Sequence, residues 1–288
     1  MDKPTSGRAC ILASCQDRPG IVAGVSSYLY EHGANIVQLD QHTSNPNGGT
    51  YFMRVEFDAP PAALEAVASG FSRVAQRFGM SWRIAFAHQK KRAAIFVSKE
   101  DHCLLELLWQ WRWGTLDLHL NCVISNHELL RETVESFGLP FYHIPVSPET
   151  KPQAEAEALA ILGEETDLII LARYMQILSP QFVARFPNRI INIHHSFLPA
   201  FVGSRPYDQA FARGVKIIGA TAHYVTAELD AGPIIEQDVV RVSHRNSVEE
   251  LKSLGRTIER TVLARAVKWH VEDRILVHEN KTVVFGTA

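Results

Sequence analysis

The spacing of hydrophobic positions changes once along the chain, near residue 90. Before that point, short apolar runs alternate with two stretches in which apolar residues recur at helical spacing. The predicted strands are 9–14, 35–43, 50–57 and 81–87, and the predicted helices are 19–32 and 60–79. The order βαββαβ predicts a ferredoxin-like α+β sandwich in residues 1–87.

Beyond a charged linker at 88–92, strands and helices alternate regularly. The predicted strands are 93–98, 117–125, 141–144, 167–172, 189–193, 216–225 and 233–242. The predicted helices are 102–113, 127–137, 153–162, 179–186 and 248–267, and a hairpin is predicted at 274–285. Such alternation is typical of an α/β domain with a mostly parallel, Rossmann-like sheet, here assigned to residues 93–288.

Polar residues whose side chains could take part in catalysis cluster around the end of the strand at 189–193. Asn192, His194 and His195 lie there, and Asp230 follows in a turn marked by Gly232 and a proline. Ligands of open parallel sheets bind beyond the carboxyl ends of the strands, where these residues are expected. An amide donor can stabilise an oxyanion, and an imidazole beside a carboxylate can move protons. The pattern therefore favours acyl chemistry.

Two other chemistries use residues of the same stretch. His194, His195, His223 and Asp230 offer metal-ligand atoms, but adjacent histidines on an extended segment point to opposite faces, so no metal is expected. Ser196 has no G-x-S-x-G elbow around it, which disfavours a serine nucleophile.

Composition narrows the class of protein. The 288 residues are 46% hydrophobic and 21% charged, with a net charge of −2, so neither nucleic acid nor an anionic membrane is an expected partner. The four cysteines show no C-x-x-C spacing, the first residues are polar, and no apolar run approaches about 20 residues. These features predict a cytoplasmic protein that acts on small molecules.

The motifs resemble those of the formyltetrahydrofolate transferase superfamily. The resemblance rests on Asn-Ile-His-His-Ser-Phe-Leu-Pro at 192–199, Leu-Asp-Ala-Gly-Pro-Ile-Ile at 229–235 and Leu-Ala-Arg-Tyr-Met-Gln-Ile-Leu at 171–178. It covers about residues 93–288. It implies that Asn192, His194 and Asp230 are catalytic, with His195 and His223 behind them. The residues that it implies for the pterin site are Met175, Ile177 and Leu178.

The first domain resembles an ACT domain through Asp-Arg-Pro-Gly-Ile-Val at 17–22. ACT domains are commonly regulatory or oligomerising, so Asp17, Arg18 and Gly20 are expected to hold a small amino-acid effector, and a homo-oligomer is expected. The fused arrangement resembles the formyltetrahydrofolate deformylases. That resemblance implies hydrolysis of 10-formyltetrahydrofolate to formate and tetrahydrofolate, with folate as substrate and no cofactor. Its cellular purpose would be formate for purine biosynthesis and balance of the one-carbon folate pools.

Two departures from the transferase pattern bear on how the substrates are bound. The loop at 97–104 has no glycine, whereas the glycinamide ribonucleotide transformylases carry a glycine-rich loop there for the acceptor's phosphate. Gln176 stands where related transformylases often have arginine. The missing glycines favour water as the acceptor, whereas Gln176 weakens the expectation that its loop pairs with the glutamate tail of the folate. A formyltransferase acting on an amine, and a folate-binding protein without turnover, stay as alternatives.

Overall fold

A computed structural model describes residues 7–45, 47–199 and 206–286 of the chain. These residues form two compact units. Their described parts are, in the first unit, 7–90, 272–278 and 283–286, and, in the second unit, 91–271 and 279–282. Among the described residues, none of the helices combines the length and the apolar character needed to cross a membrane.

The first unit is the predicted ferredoxin-like sandwich. Its strands are β1 (Gly7–Gln16), β2 (Asn35–Thr43), β3 (Thr50–Ala59) and β4 (Ser81–Phe86), and its helices are α1 (Ile21–Glu31), α2 (Pro61–Gly70) and α3 (Ser72–Phe78). The sheet order is β2-β3-β1-β4, and every neighbouring pair is antiparallel. The fold prediction for this part of the chain is confirmed.

Period-two alternation in β1 and β3 directs one set of side chains toward the helices. Ile11 and Val55 on the strands pack with Leu29 of α1 and Val67 of α2 in one buried cluster. The predicted helix at 60–79 is in fact two helices. Helix α2 ends at Gly70 and α3 begins at Ser72; glycine weakens a helix, and position 70 must be small because a β-carbon there would lie 2.6 Å from the Tyr28 hydroxyl.

The other face of this sheet is covered by a segment from the far end of the sequence. Arg54, only 4% exposed, donates from Nε to the Asp273 carbonyl at 3.0 Å and from Nη2 to the Glu272 carbonyl at 3.2 Å. The His278 ring meets the ring of Phe52 edge-on, with centroids 5.2 Å apart. Residues 272–278 therefore pack with the first unit, although the sequence placed them with the second domain.

The second unit has a seven-stranded sheet in the order β11-β10-β9-β8-β5-β6-β7. Its strands are β5 (Arg92–Val97), β6 (His119–Ser125), β7 (Phe141–His143), β8 (Leu168–Ala172), β9 (Ile190–His194), β10 (Ile217–Tyr224) and β11 (Ile234–Arg241). The pairs among β5 to β9 are parallel, whereas β10 is antiparallel to both of its neighbours. The predicted mostly parallel sheet is confirmed.

Six α-helices are found in the described part of this unit. They are α4 (His102–Arg112), α5 (Arg131–Ser136), α6 (Lys151–Leu162), α7 (Pro180–Ala184), α8 (Pro206–Arg213) and α9 (Val248–Val271). Helix α8 was not predicted, because among residues 207–213 only Tyr207 and Ala210 are buried. The predicted hairpin near the end of the chain is present as β12 (Ile275–His278) and β13 (Lys281–Val284).

Candidate active site

Strand β9 and its neighbour β10 place three polar side chains on one face of the sheet. Asn192 and His194 are two residues apart on β9, so they project to the same side. His223 of β10 is the register partner of Asn192. Directly opposite residues of antiparallel strands share a face, and the Asn192 Nδ2 and His223 Nε2 atoms lie 3.2 Å apart.

A tight turn after β10 brings Asp230 to this face. Asp230 has φ 55°, a left-handed conformation that aspartate tolerates better than most residues. At Gly232 a β-carbon would lie 1.8 Å from the Tyr224 carbonyl oxygen, so the close approach of the turn to β10 requires glycine. Asp230 Oδ2 consequently lies 3.3 Å from His194 Nδ1, and Oδ1 lies 3.7 Å from His223 Nε2.

The hydrogen bonds of His223, Asp230 and His194 indicate which of their side-chain atoms carry protons. The Nδ1–H of His223 donates to the Tyr224 carbonyl at 2.9 Å, and burial lowers the pKa of His223, so its ring is neutral and Nε2 accepts from the Asn192 amide. The hydrogen bond from His194 lowers the pKa of Asp230, which is therefore ionised at neutral pH. With Nδ1 turned to Asp230, His194 Nε2 is buried without a hydrogen-bond partner among the described residues.

These side chains line a cavity of about 1020 Å³. Met175, Ile177 and Leu178, which the sequence assigned to the pterin site, line the same cavity, together with Gln176. Met175 and Ile177 are 57% and 60% exposed, so apolar surface is open to a ligand there. A cavity of this size accommodates a drug-sized cofactor or substrate.

The loop that carries those apolar residues is held by the glycine-free loop after β5. The Met175 backbone N–H donates to Ser98 Oγ at 2.9 Å, and the Ser98 N–H donates to the Arg173 carbonyl at 3.3 Å. The Ser98 hydroxyl in turn donates to Asn126 Oδ1 at 2.7 Å. Ser98 therefore supports the wall of the cavity, a role that no sequence motif indicated.

A buried polar cluster around Glu259 forms another wall of the cavity. Glu259 is 1% exposed and accepts from His102 Nε2 at 2.8 Å and from the Tyr207 hydroxyl at 2.6 Å, with Arg173 Nε at 3.4 Å. Burial alone would raise the pKa of Glu259, but these three partners outweigh it and lower the pKa to about 2. Arg173 lies within the motif at 171–178, but none of the four residues was predicted as a site residue.

His195 lies between the two groups. Its ring stacks on that of His194 with centroids 5.4 Å apart, and lies 6.2 Å from that of Tyr207. Burial and the nearby charge of Arg173 lower the pKa of His195 to about 4, so the ring is neutral at physiological pH. Ser196 is 3% exposed, and its carbonyl accepts from the Thr221 hydroxyl at 2.9 Å.

One group of potential metal ligands lies in the described part of the chain. His102, Cys103 and Glu259 could approach a single ion, because their ligand atoms lie within 4.8 Å of one another. Both carboxylate oxygens of Glu259, however, already accept hydrogen bonds from His102 and Tyr207. Asp230 and the histidines around it do not form such a group.

In the first unit, Asp17, Arg18 and Gly20 form the turn that leads into α1, as predicted. Gly20 has φ 92° and accepts the first hydrogen bond of the helix, from the Gly24 N–H at 2.9 Å. The Arg18 guanidinium donates to the Arg77 carbonyl at 2.5 Å and lies 5.2 Å from the centroid of the Phe78 ring. Arg18 is thus held against the end of α3.

Comparisons with known proteins cover both units. The family described as formyl transferase matches residues 91–267, and the ACT domain family matches residues 11–66. The formyltetrahydrofolate deformylase of Bacillus subtilis is 55% identical over 279 residues, which span 96% of this chain and 93% of that protein.

Solved structures give the same relationship. The crystal structure of a formyltetrahydrofolate deformylase from Pseudomonas syringae has a TM-score of 0.93 and 50% identity, covering 99% of this chain and 96% of the other. Glycinamide ribonucleotide transformylase 1 from Symbiobacterium toebii has a TM-score of 0.65 and 30% identity, covering 70% of this chain and 97% of the other.

Proposed function

The chain belongs to the formyltetrahydrofolate deformylase family, and from that membership we propose that it hydrolyses 10-formyltetrahydrofolate to formate and tetrahydrofolate. The observation that carries this proposal is the convergence of Asn192, His194 and Asp230 on one large cavity. The apolar, exposed side chains of Met175 and Ile177 suit the flat pterin ring.

Asn192 is assigned to the formyl oxygen. One hydrogen of its Nδ2 donates to His223, whose neutral ring can only accept at that position. The second hydrogen is then available to the carbonyl oxygen of the substrate. When water adds to the formyl carbon, that oxygen becomes an anion, and a donor already in place stabilises it.

His194 is assigned to proton transfer, with Asp230 as its partner. Asp230 is a weak base because its pKa is lowered, whereas His194 Nε2 is buried at the cavity and has no competing partner among the described residues. Nε2 takes a proton from the attacking water, and the carboxylate of Asp230 stabilises the resulting imidazolium. The C–N bond then breaks, and His194 returns the proton to the departing nitrogen. Formic acid loses its remaining proton to become formate.

Water, rather than an amine, is the acceptor in this proposal. The loop at 97–104 has no glycine, and its Ser98 is engaged with Asn126 and with the loop of Met175. These contacts bind protein groups rather than an acceptor's phosphate. The relatives that match nearly the full chain are named as deformylases, which also disfavours transfer.

The direct test incubates purified protein with 10-formyltetrahydrofolate and no amine acceptor, and measures formate. Formate release in proportion to tetrahydrofolate is expected, and no formate above the protein-free blank would contradict the proposal. Asp230→Asn should lower turnover by roughly 10² to 10⁴-fold, as loss of a general acid–base partner does. Folate affinity, measured by equilibrium binding, should stay near that of the parent protein. Near-normal turnover would refute the role of Asp230.

The first unit is proposed to bind a small amino acid at the turn of Asp17, Arg18 and Gly20, and to pair copies of the chain. The helix N-terminus after Gly20 favours a carboxylate. Equilibrium binding with a panel of amino acids, glycine and methionine among them, tests the first point. Sedimentation tests the second. Absence of binding by the whole panel would leave only pairing.

A cytoplasmic location belongs to the same proposal. All four cysteines are buried and free of disulfide bonds, as suits a reducing compartment. The formate released there would supply purine biosynthesis and adjust the one-carbon folate pools.

A further inference from the structure

The guanidinium of Arg173 is a buried cation to which the proposed reaction gives no role. Arg173 directly follows β8, its side chain is 14% exposed, and it lines the same cavity as His194 and Asp230. Its Nε and Nη1 atoms are buried and have no hydrogen-bond partner among the residues that the structure describes. Buried donors left unpaired are costly and uncommon in folded proteins, so these two donors require a partner, either water or a ligand.

The carboxylate of Glu259 compensates the charge of Arg173, but the Nε and Nη1 donors of Arg173 make no hydrogen bond to the described residues. Glu259 lies 3.4 Å from Nε, an ion-pair distance, and the geometry does not make a hydrogen bond. The two Glu259 oxygens instead accept from His102 and Tyr207. Glu259 thus balances the charge of the Arg173 guanidinium without accepting a hydrogen bond from it, so the buried Nε and Nη1 donors are left for another partner.

The backbone conformation of Arg173 is a second observation that supports a ligand-binding role. Its φ is 62°, in the left-handed region that is unfavourable for a non-glycine residue. Such a conformation persists only where surrounding contacts hold it, and here the Ser98 N–H binds the Arg173 carbonyl at 3.3 Å. The loop is therefore held in a strained form that keeps Arg173 at the cavity.

The chemistry of the reaction identifies the ligand. Hydrolysis converts a neutral formamide into a carboxylate, and this anion arises next to the ionised Asp230, which repels it. Guanidinium groups bind carboxylates through charge-assisted hydrogen bonds, which are shorter and stronger than hydrogen bonds between neutral groups. We propose that Arg173 forms a product site, which receives formate from the trio of Asn192, His194 and Asp230 through its unpaired Nε and Nη1 donors.

This inference rests on the proposed hydrolysis, but its test measures binding and needs no turnover. Carbon-13 formate is titrated into the full-length protein, with and without tetrahydrofolate, and its NMR line width reports binding. Arg173→Met combined with Glu259→Gln removes both charges together, so that no buried carboxylate is left unpaired. This double variant should weaken formate binding by about tenfold or more. Glu259→Gln alone should tighten it, because the competing carboxylate is gone.

A matched control lies on the same cavity. Arg256 lines it too, but its side chain is 54% exposed and is paired with Glu100 at 3.0 Å. Arg256→Gln should leave formate binding unchanged. If the double variant bound formate as the parent protein does, or if Glu259→Gln had no effect, the product site would be refuted even where hydrolysis is observed. Failure to release formate without an acceptor would instead overturn the proposed function.

Discussion

Replacing Glu259 with glutamine tests the buried cluster that forms one wall of the cavity. The change keeps the shape of the side chain and removes its charge. His102 and Arg173 then lose the carboxylate that they face at 2.8 and 3.4 Å, and Tyr207 loses a charged acceptor. The pKa of Glu259 falls from 4.5 to about 2 in the folded chain, which corresponds to on the order of 3 kcal/mol. We expect a loss of about that size in the free energy of unfolding at pH 7.

The sign of the pH dependence follows from the same lowered pKa. Because the folded chain binds the Glu259 proton more weakly than the unfolded chain, the stabilisation is complete above pH 4.5 and is lost as pH falls toward 2. Urea unfolding of the parent protein and of Glu259→Gln, followed by circular dichroism at pH 7 and at pH 4, measures both effects. The difference between the two proteins should be smaller at the lower pH.

Glu236 provides a control, because its pKa is shifted in the opposite direction to that of Glu259. Burial raises the pKa of Glu236, despite Arg265 Nε at 3.6 Å, so its charged form is disfavoured in the folded chain. Glu236→Gln should therefore be neutral or slightly stabilising at pH 7. The reasoning fails if Glu259→Gln costs less than about 1 kcal/mol, a loss common for ordinary substitutions, or if both variants lose the same amount.

Three further predictions concern the neighbourhood of the trio. Asn192→Ala should reduce turnover by about 10² to 10³-fold, because the oxyanion loses its donor, while folate affinity in equilibrium binding changes little; an equal loss of affinity would contradict this role. Because the pKa of His195 is lowered from 6.5 to about 4, the unfolded chain binds this proton at a higher pH than the folded chain does. The free energy of unfolding should therefore fall by at most about 3 kcal/mol between pH 6.5 and pH 4. Urea unfolding of His195→Gln should lack this part of the pH dependence. In Gly232→Ala the new β-carbon would meet the Tyr224 carbonyl, so turnover should fall by about 100-fold with an unchanged circular dichroism spectrum, and normal turnover would show that the turn tolerates displacement.

Elements that the sequence predicted well are those in which burial follows a simple period. All five residues of β8 are buried, as a continuous apolar run predicts for a central parallel strand. The convergence of Asn192 and His194 on one face was equally accessible, since residues two apart on a strand project together. Asp230 could be placed near them only through the motif, because its position depends on a turn.

Contacts between residues far apart in the sequence could not be predicted from periodicity or from local motifs. Glu259 lies on the amphipathic helix α9, and its partner His102 is 157 residues away, so nothing local marks Glu259 as buried. Ser98 is one residue of an ordinary loop until Met175 binds to it. The segment 272–278 likewise could not be assigned to the first unit from the sequence, because the assignment depends on hydrogen bonds from Arg54 to the carbonyls of Glu272 and Asp273.

Two walls of the cavity differ in how the chain builds them. Asn192, His194, His223 and Asp230 come from two paired strands and one turn, all within a single stretch of the chain. The wall around Glu259 is assembled from separate places, namely the loop after β5, Arg173 and helix α9. Substitutions in that wall can therefore reshape the cavity without changing the two strands and the turn that carry Asn192, His194 and Asp230.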